Sequence, residues 1–110
     1  SRHRGVDFYG DSSDAVLAIS EAIVLWGADQ EFYSEGKIVV LDHGQGIVSM
    51  YMHLSSVEVK TGESVARGQI IGRVGTTGHS SGFHLHLAIK VGKAFVDPVK
   101  FIETFANPFR

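Results

Sequence analysis

The chain has 110 residues, 44% of them hydrophobic, and a formal net charge of −2. This length allows one small domain with a modest core, and the apolar fraction excludes a wholly disordered chain. The 12 acidic and 10 basic residues form no basic stripe, which argues against nucleic acid as the partner. No apolar run approaches the ~20 residues that a membrane-spanning helix needs.

The sequence contains no cysteine, 13 glycines and only two prolines. Disulfides, thiolate zinc sites and cysteine nucleophiles are therefore excluded, so any metal site must use histidine, carboxylate and water. The many valines and isoleucines between glycines predict short strands joined by tight turns. No linker or repeat marks a boundary, and residues 1–110 are predicted to form one domain.

His3 and Asp7 are the first residues that could carry chemistry. Their spacing of four places them on one face of either a helix or a strand. Gly5 and the apolar residues that follow it favour an extended segment. Taken alone, such a pair is more typical of a surface histidine and a solvated aspartate near a frayed terminus.

The next part of the chain predicts strands over 15–20 and 22–26, followed by a mixed polar and aromatic loop over 27–36. A loop of that length in a small domain is a candidate wall of a binding groove. A β-branched run over 37–42 and a returning strand over 47–54 predict a hairpin.

His53 lies near the end of the returning strand. Alternation places it on a mixed face, with an apolar face behind it that carries Val48, Met50, Met52 and Leu54. A lone histidine in this position is more often a structural hydrogen-bonding residue than a catalyst.

Residues 57–75 predict short strands separated by glycine turns. This turn pattern resembles that of lipoyl and biotinyl carrier domains, but no lysine stands at an exposed hairpin tip. It therefore indicates a barrel-like β-sandwich without a swinging arm. The glycine- and hydroxyl-rich loop over 74–82, which includes His79, lacks the Gly-Lys-Ser/Thr ending of a phosphate-binding loop and precedes a strand.

The segment 83–89 alternates as a strand does. His84, His86 and Ala88 share one face, and the other face is apolar, with Leu85, Leu87 and Ile89. Two imidazoles two residues apart suit a metal ion or a reacting group, although they also suit a half-buried strand at a wet surface. A turn at 92–93, a short strand over 94–96 and a helix over 99–105 follow, with Asp97 as N-cap and Pro98 at the first helical position.

In this order and spacing, the pieces resemble the lysostaphin/LytM-type zinc metallopeptidases, which cleave bacterial peptidoglycan. The resemblance runs from His3 to about Ile102. It includes His-x-Gly-x-Asp at 3–7, the hairpin segment 39–44, Tyr51-Met52-His53-Leu54, the segments 62–72 and 75–78, Gly82-Phe83-His84-Leu85-His86 and Val96-Asp97-Pro98. It implies an all-β fold, an antiparallel barrel-sandwich hybrid (duplicated hybrid motif) with one short C-terminal helix.

Carried over residue by residue, the resemblance makes His3, Asp7 and His86 the ligands of one Zn²⁺ per chain. His84 and His53 would then sit beside the metal-bound water without ligating the metal. His84 is expected to orient or deprotonate the water, and His53 to help stabilise the oxyanion. Which of the two histidines is base and which is acid stays open.

The implied activity is that of a zinc-dependent endopeptidase acting on the cross-links or stem peptides of peptidoglycan. The cleaved bond could be a glycyl-glycine bridge, a D-alanyl–diamino acid cross-link or a terminal D-alanine, and we favour directly cross-linked stem peptides. Two features depart from the family. Phe83 stands where proline is usual, which can alter the loop shape or the groove wall but removes no ligand. The segment that normally leads into His3 is missing, which suggests a catalytic fragment of a longer exported protein of the periplasm or cell wall, with a possible upstream inhibitory or wall-binding segment.

Three other readings compete with this one. A catalytically silent relative would bind a cell-wall hydrolase, but such relatives lose ligands or flanking histidines, and this chain keeps all five. A histidine phosphocarrier of the glucose-permease type has a related fold but no use for the pair formed by His3 and Asp7. A structural β module with incidental histidines would hold no stoichiometric metal.

Overall fold

The computed structural model describes residues 5–9, 14–76 and 84–103. Within these ranges the chain is mostly antiparallel β-structure with one short helix near its C-terminal end, which confirms the expected fold class. The elements in chain order are β1 (Val6–Tyr9), β2 (Ala15–Leu17), β3 (Ala22–Phe32), β4 (Gly36–Gly44), β5 (Ile47–Val57), β6 (Ser64–Val65), β7 (Ile70–Val74), β8 (His84–Val91), β9 (Ala94–Val96) and α1 (Pro98–Phe101).

The main sheet has the strand order β1-β8-β5-β4-β3-β6 and does not close on itself. β5 connects the main sheet to the pair formed by β7 and β2. From Ile47 to Met52 it pairs with β8, and from Leu54 to Val57 it pairs with β7, which in turn pairs with β2. His53 therefore lies at the residue where β5 exchanges one neighbour for another.

The hydrophobic core draws on most of the strands. Leu87 and Ile89 of β8 are buried in it and Leu85 packs against it, which confirms the predicted apolar face of this strand. Each fully buried aliphatic side chain contributes about 1.5–3 kcal/mol relative to an exposed one. The remaining buried members are Val16, Ala18, Val24, Val39, Leu41, Tyr51, Leu54, Val59, Val65, Ile71 and Val74.

The segment 27–36 is not the loop that its composition predicts. β3 continues through Phe32, and only residues 33–35 turn. Cross-strand pairing explains the difference, because Gly27 lies opposite Val39 and Glu31 lies opposite Lys37. The sheet hydrogen bonds of these pairs outweigh the low strand propensity of the polar residues, which stay exposed to water.

β5 buries its mixed face, whereas its apolar residues before Leu54 are half-exposed. Ser49 and Tyr51 are almost completely buried. Their hydroxyl groups are hydrogen-bonded to each other at 2.8 Å, His43 Nε2 lies 2.6 Å from Ser49 Oγ, and Ile19 N–H donates to Tyr51 Oη at 3.2 Å. These bonds satisfy the polar atoms, so their burial is tolerated. Burial raises the pKa of Tyr51 to about 12, although the two hydrogen bonds partly oppose the rise.

The helix begins as the sequence predicts. Asp97 is the N-cap, and its carboxylate accepts hydrogen bonds from the backbone N–H groups of Val99 (3.0 Å) and Lys100 (3.4 Å), with Pro98 at the start of the helix. α1 ends at Phe101, and the predicted continuation beyond residue 103 lies outside the described residues. Among the described residues, no helix has the length and apolar character needed to cross a membrane.

Candidate active site

Asp7 and both histidines of β8 meet at one carboxylate oxygen. Asp7 on β1 is the cross-strand partner of His86, and residues directly opposite each other in an antiparallel pair share a face. Asp7 Oδ1 lies 2.7 Å from His86 Nδ1 and 3.4 Å from His84 Nε2. The pairing therefore joins the two ends of the sequence and places both imidazoles against one carboxylate, on the face that alternation predicts for them.

His53 reaches the same place against the alternation of its strand. Met52 is the cross-strand partner of His86, so regular alternation would point His53 to the opposite face. Lys37 and Val39, two residues apart on β4, pair with Leu54 and Tyr51, three residues apart on β5, so β5 carries one extra residue here. Such a bulge re-aims side chains.

The bulge includes a left-handed backbone conformation at His53, with φ of 64°. As a result, the ring centroid of His53 lies 5.3 Å from that of His84 and 6.2 Å from that of His86. The structure thus brings together four of the five residues that the resemblance singles out.

The main chain of His53 is held by the turn between β3 and β4. Its N–H donates a hydrogen bond of 2.9 Å to the carbonyl of Glu35. This contribution of Glu35 was missed by the sequence reading, because a main-chain carbonyl leaves no signal in residue type. His53 and His84 are buried, whereas the side chains of Asp7 and His86 are 42% and 32% exposed. The site therefore has a buried side, formed by His53 and His84, and an accessible side, formed by Asp7 and His86.

The types of donor atom at this site are those that zinc binds. Zn²⁺ in proteins takes imidazole nitrogen and carboxylate oxygen, and His86 Nδ1 and Asp7 Oδ1 face each other at 2.7 Å. His3, the third ligand that the resemblance implies, lies outside the described residues, as do His79 and Phe83. Within the described ranges, no group of three or more histidine, cysteine, aspartate or glutamate side chains is arranged to hold a metal ion.

Comparison with known proteins places this site in a family. The model of peptidase family M23 matches residues 1–98. The peptidoglycan DD-endopeptidase ShyA of Vibrio cholerae is 35% identical over 98 residues, which are 89% of this chain and 22% of that protein. The chain thus spans about a fifth of the length of this curated relative.

Solved structures agree with the sequence match. The catalytic domain of the antimicrobial peptidase lysostaphin from Staphylococcus simulans has a TM-score of 0.82 at 35% identity, over 92% of this chain and 79% of that one. A zinc-containing peptidase from Vibrio cholerae has a TM-score of 0.80 at 31% identity, over 86% of this chain and 28% of that one. The resemblance to lysostaphin-type peptidases is confirmed, and the chain belongs to peptidase family M23.

Proposed function

We propose that this chain is the catalytic domain of a zinc-dependent endopeptidase that hydrolyses peptide bonds in bacterial peptidoglycan. The observation that carries the proposal is the convergence of one carboxylate and three imidazoles from β1, β5 and β8, with Asp7 Oδ1 in contact with two of the rings. Membership of family M23 supports peptidase chemistry. The relative ShyA, a peptidoglycan DD-endopeptidase, supports the substrate class.

One zinc ion per chain is proposed to be held by His3, Asp7 and His86. The facing atoms of Asp7 and His86 support two of these ligands, and His3 follows from the resemblance. When bound, the ion supplies Lewis-acid polarisation of a carbonyl and lowers the pKa of a coordinated water to about 7.

His84 and His53 are proposed to handle protons beside the metal. An imidazole can accept and release a proton near neutral pH, so the pair can serve both halves of a peptide hydrolysis. His84, which lies against Asp7, orients or deprotonates the attacking water, and His53 donates to the oxyanion that forms on the scissile carbonyl. One of the two then protonates the leaving amine.

The choice of bond is proposed to depend on the walls of the site. The turn at 33–35 is tied to His53 through Glu35, and Tyr33 at this turn is 85% exposed. This turn would contact the peptide beside the scissile bond, and the segment 76–82 would also influence which bond is cut. We favour the D-alanyl–diamino acid bond of direct cross-links over glycyl-glycine bridges. The site of action would be the periplasm or cell wall, with the possible inhibitory or wall-binding segment elsewhere in a longer chain.

Metal analysis combined with digestion of purified sacculi tests this function. The protein, isolated without added chelator, is expected to hold one zinc per chain. It should release fragments from directly cross-linked sacculi that mass spectrometry assigns to cleavage at the D-alanyl–diamino acid bond. Release only from glycine-bridged sacculi would contradict the bond assignment. Absence of both zinc and cleavage would contradict the enzyme and favour the silent relative that binds a hydrolase.

A further inference from the structure

We propose that Gly5 is a positioning residue that seats the His86 imidazole so that its Nδ1 edge faces Asp7. The proposal rests on the function proposed above, because it concerns a ligand of the expected metal. Gly5 packs directly against the ring. A Cβ atom built on Gly5 would lie 2.7 Å from His86 Cε1 and would also collide with His86 Nε2, and it would be 3.0 Å from the carbonyl oxygen of Leu87.

The space beside Gly5 explains why glycine stands there. A Cβ atom at this position would approach the imidazole of His86 and the neighbouring main chain more closely than van der Waals contact allows. This distinguishes Gly5 from Gly62 and Gly68, which have positive φ and open space around them.

The two contacts act on neighbouring parts of the same ring. Asp7 meets the Nδ1 edge at 2.7 Å, and Gly5 packs against the edge formed by Nε2 and Cε1. Rotation of the ring by half a turn would replace Nδ1 with a carbon beside Asp7. The hydrogen bond to Asp7 therefore selects the nitrogen that faces the carboxylate, and the close approach of the Gly5 main chain fixes where the ring lies.

A Cβ atom at residue 5 would displace the His86 ring. Ordinary van der Waals contact begins at 3.4 Å, so the ring would have to retreat by at least ~0.7 Å from a methyl group at residue 5. Zinc–ligand distances tolerate only about ±0.2 Å. His86 is partly exposed, so the displaced ring would turn toward water and away from Asp7. A single methyl group should thus weaken the metal site without touching a ligand atom.

Zinc titration of Gly5→Ala against a competing chelator tests the proposal. Zinc affinity is expected to fall by about 10–100-fold, the range seen when groups that orient metal ligands are lost. The matched control is Gly72→Ala, in which a Cβ would lie 2.6 Å from the Ser56 carbonyl oxygen, between β5 and β7. This control should destabilise the metal-free protein in thermal unfolding and leave the zinc affinity of the folded protein unchanged.

Nitrogen-15 NMR of the imidazoles provides a second measurement that does not depend on activity. In the parent protein without metal, His86 Nδ1 should show the shift of a nitrogen hydrogen-bonded to a carboxylate, and Gly5→Ala should lose that signature. Unchanged zinc affinity together with an unchanged His86 spectrum would overturn the role of Gly5. A parent protein that binds no zinc but loses the signature in Gly5→Ala would contradict the proposed function and support the seating of the ring.

Discussion

His53 is one of two non-glycine residues with positive φ in the described part of the chain. Its φ of 64° lies in the left-handed region, which costs a residue with a Cβ about 1 kcal/mol relative to glycine. The same conformation turns the ring toward His84 and His86. The strain is therefore the consequence of bringing a third imidazole into the site.

This strain predicts that His53→Gly is more stable than His53→Ala. Both variants lose the ring, but only glycine relieves the left-handed conformation, so its free energy of unfolding should be higher by about 1 kcal/mol. Urea denaturation of the metal-free proteins measures the difference. Met52→Gly and Met52→Ala are the matched control, because residue 52 does not have positive φ and alanine should be the more stable there. Equal or inverted order at residue 53 would contradict the strain.

Substitutions of His84 and Asp7 should separate proton handling from metal binding. His84→Ala is expected to retain zinc and to lose about 10²–10⁴-fold in turnover, the usual contribution of a general base. Asp7→Ala should lose both zinc and activity, since its carboxylate faces His86 Nδ1 at 2.7 Å. Zinc content and the rate of sacculus digestion are measured on the same samples. Turnover of His84→Ala near the parent rate would refute the role given to His84.

Tyr51 predicts a loss of stability in alkali. Burial raises its pKa from 10.0 to about 12, so between these values the folded state holds a proton that the unfolded state has released. The stabilisation is complete below pH 10 and is lost as pH rises through about 12, by up to about 3 kcal/mol in all. Denaturant unfolding at pH 9, 10 and 11 measures the slope. Tyr51→Phe should show a shallower fall, and an identical slope would exclude Tyr51 as its source.

Among the elements, the β3–β4 hairpin supports the site from the side. Its turn binds the His53 main chain through the Glu35 carbonyl, and Lys37 at the base of β4 forms an ion pair of 2.8 Å with Asp29 across the hairpin. The pair is largely exposed on the Asp29 side, so it contributes little on its own. The hairpin therefore depends mainly on its sheet hydrogen bonds, and its turn supports His53 through a main-chain group.

Tyr33 at this turn is predicted to contact the peptide substrate. Tyr33→Ala should lower kcat/KM on cross-linked muropeptides by about 10-fold, the low end of what a buried aromatic contact contributes. Its free energy of unfolding should stay within about 0.5 kcal/mol of the parent value, as is usual for an exposed residue. Val99→Ala, an exposed apolar residue of α1, is the matched control. Equal kinetics for Tyr33→Ala and the parent protein would remove Tyr33 from the binding surface.

At the scale of the whole molecule, the site joins two strands that are far apart in the sequence. Asp7 and His86 are 79 residues apart in the chain, and β1 has β8 as its neighbour in the sheet. A metal held between them, as proposed, would close this long loop. Ligand binding to the native state alone stabilises it by about 2.7 kcal/mol at a hundredfold excess over the Kd.

Removal of metal should therefore destabilise the fold and loosen β1 first. The thermal midpoint is expected to fall after dialysis against chelator and to recover with added zinc. Amide hydrogen exchange should accelerate in β1 before it does in β4 or β5. Asp7→Ala should have the thermal midpoint of the metal-free parent protein, whether or not zinc is added. A midpoint that does not respond to zinc in the parent protein would contradict the link between metal and fold.

Local sequence patterns correctly predicted those elements that are stabilised by interactions among adjacent residues. The alternation of residues 84–89 correctly indicated the buried face of β8, and Asp97-Pro98 correctly indicated the start of α1, since both depend on a few adjacent residues. The segment 27–36 was misread because its polar residues become a strand only when β4 pairs with them. The buried face of β5 was not foreseen, because the hydroxyl groups of Ser49 and Tyr51 find their partners on distant segments.

The sequence by itself determined the side of β8 on which His84 and His86 lie, which follows from the fixed two-residue period of a strand. It determined the architecture, and implied the roles of the site residues, through the resemblance of its motifs to the lysostaphin-type peptidases. The resemblance already implied that His53 joins His84 and His86, but only the tertiary structure decided how it does so, because a bulge against β4 and a left-handed backbone reverse its expected face. The tertiary structure alone also placed Gly5 against the His86 ring, a contact between strands that no local pattern encodes.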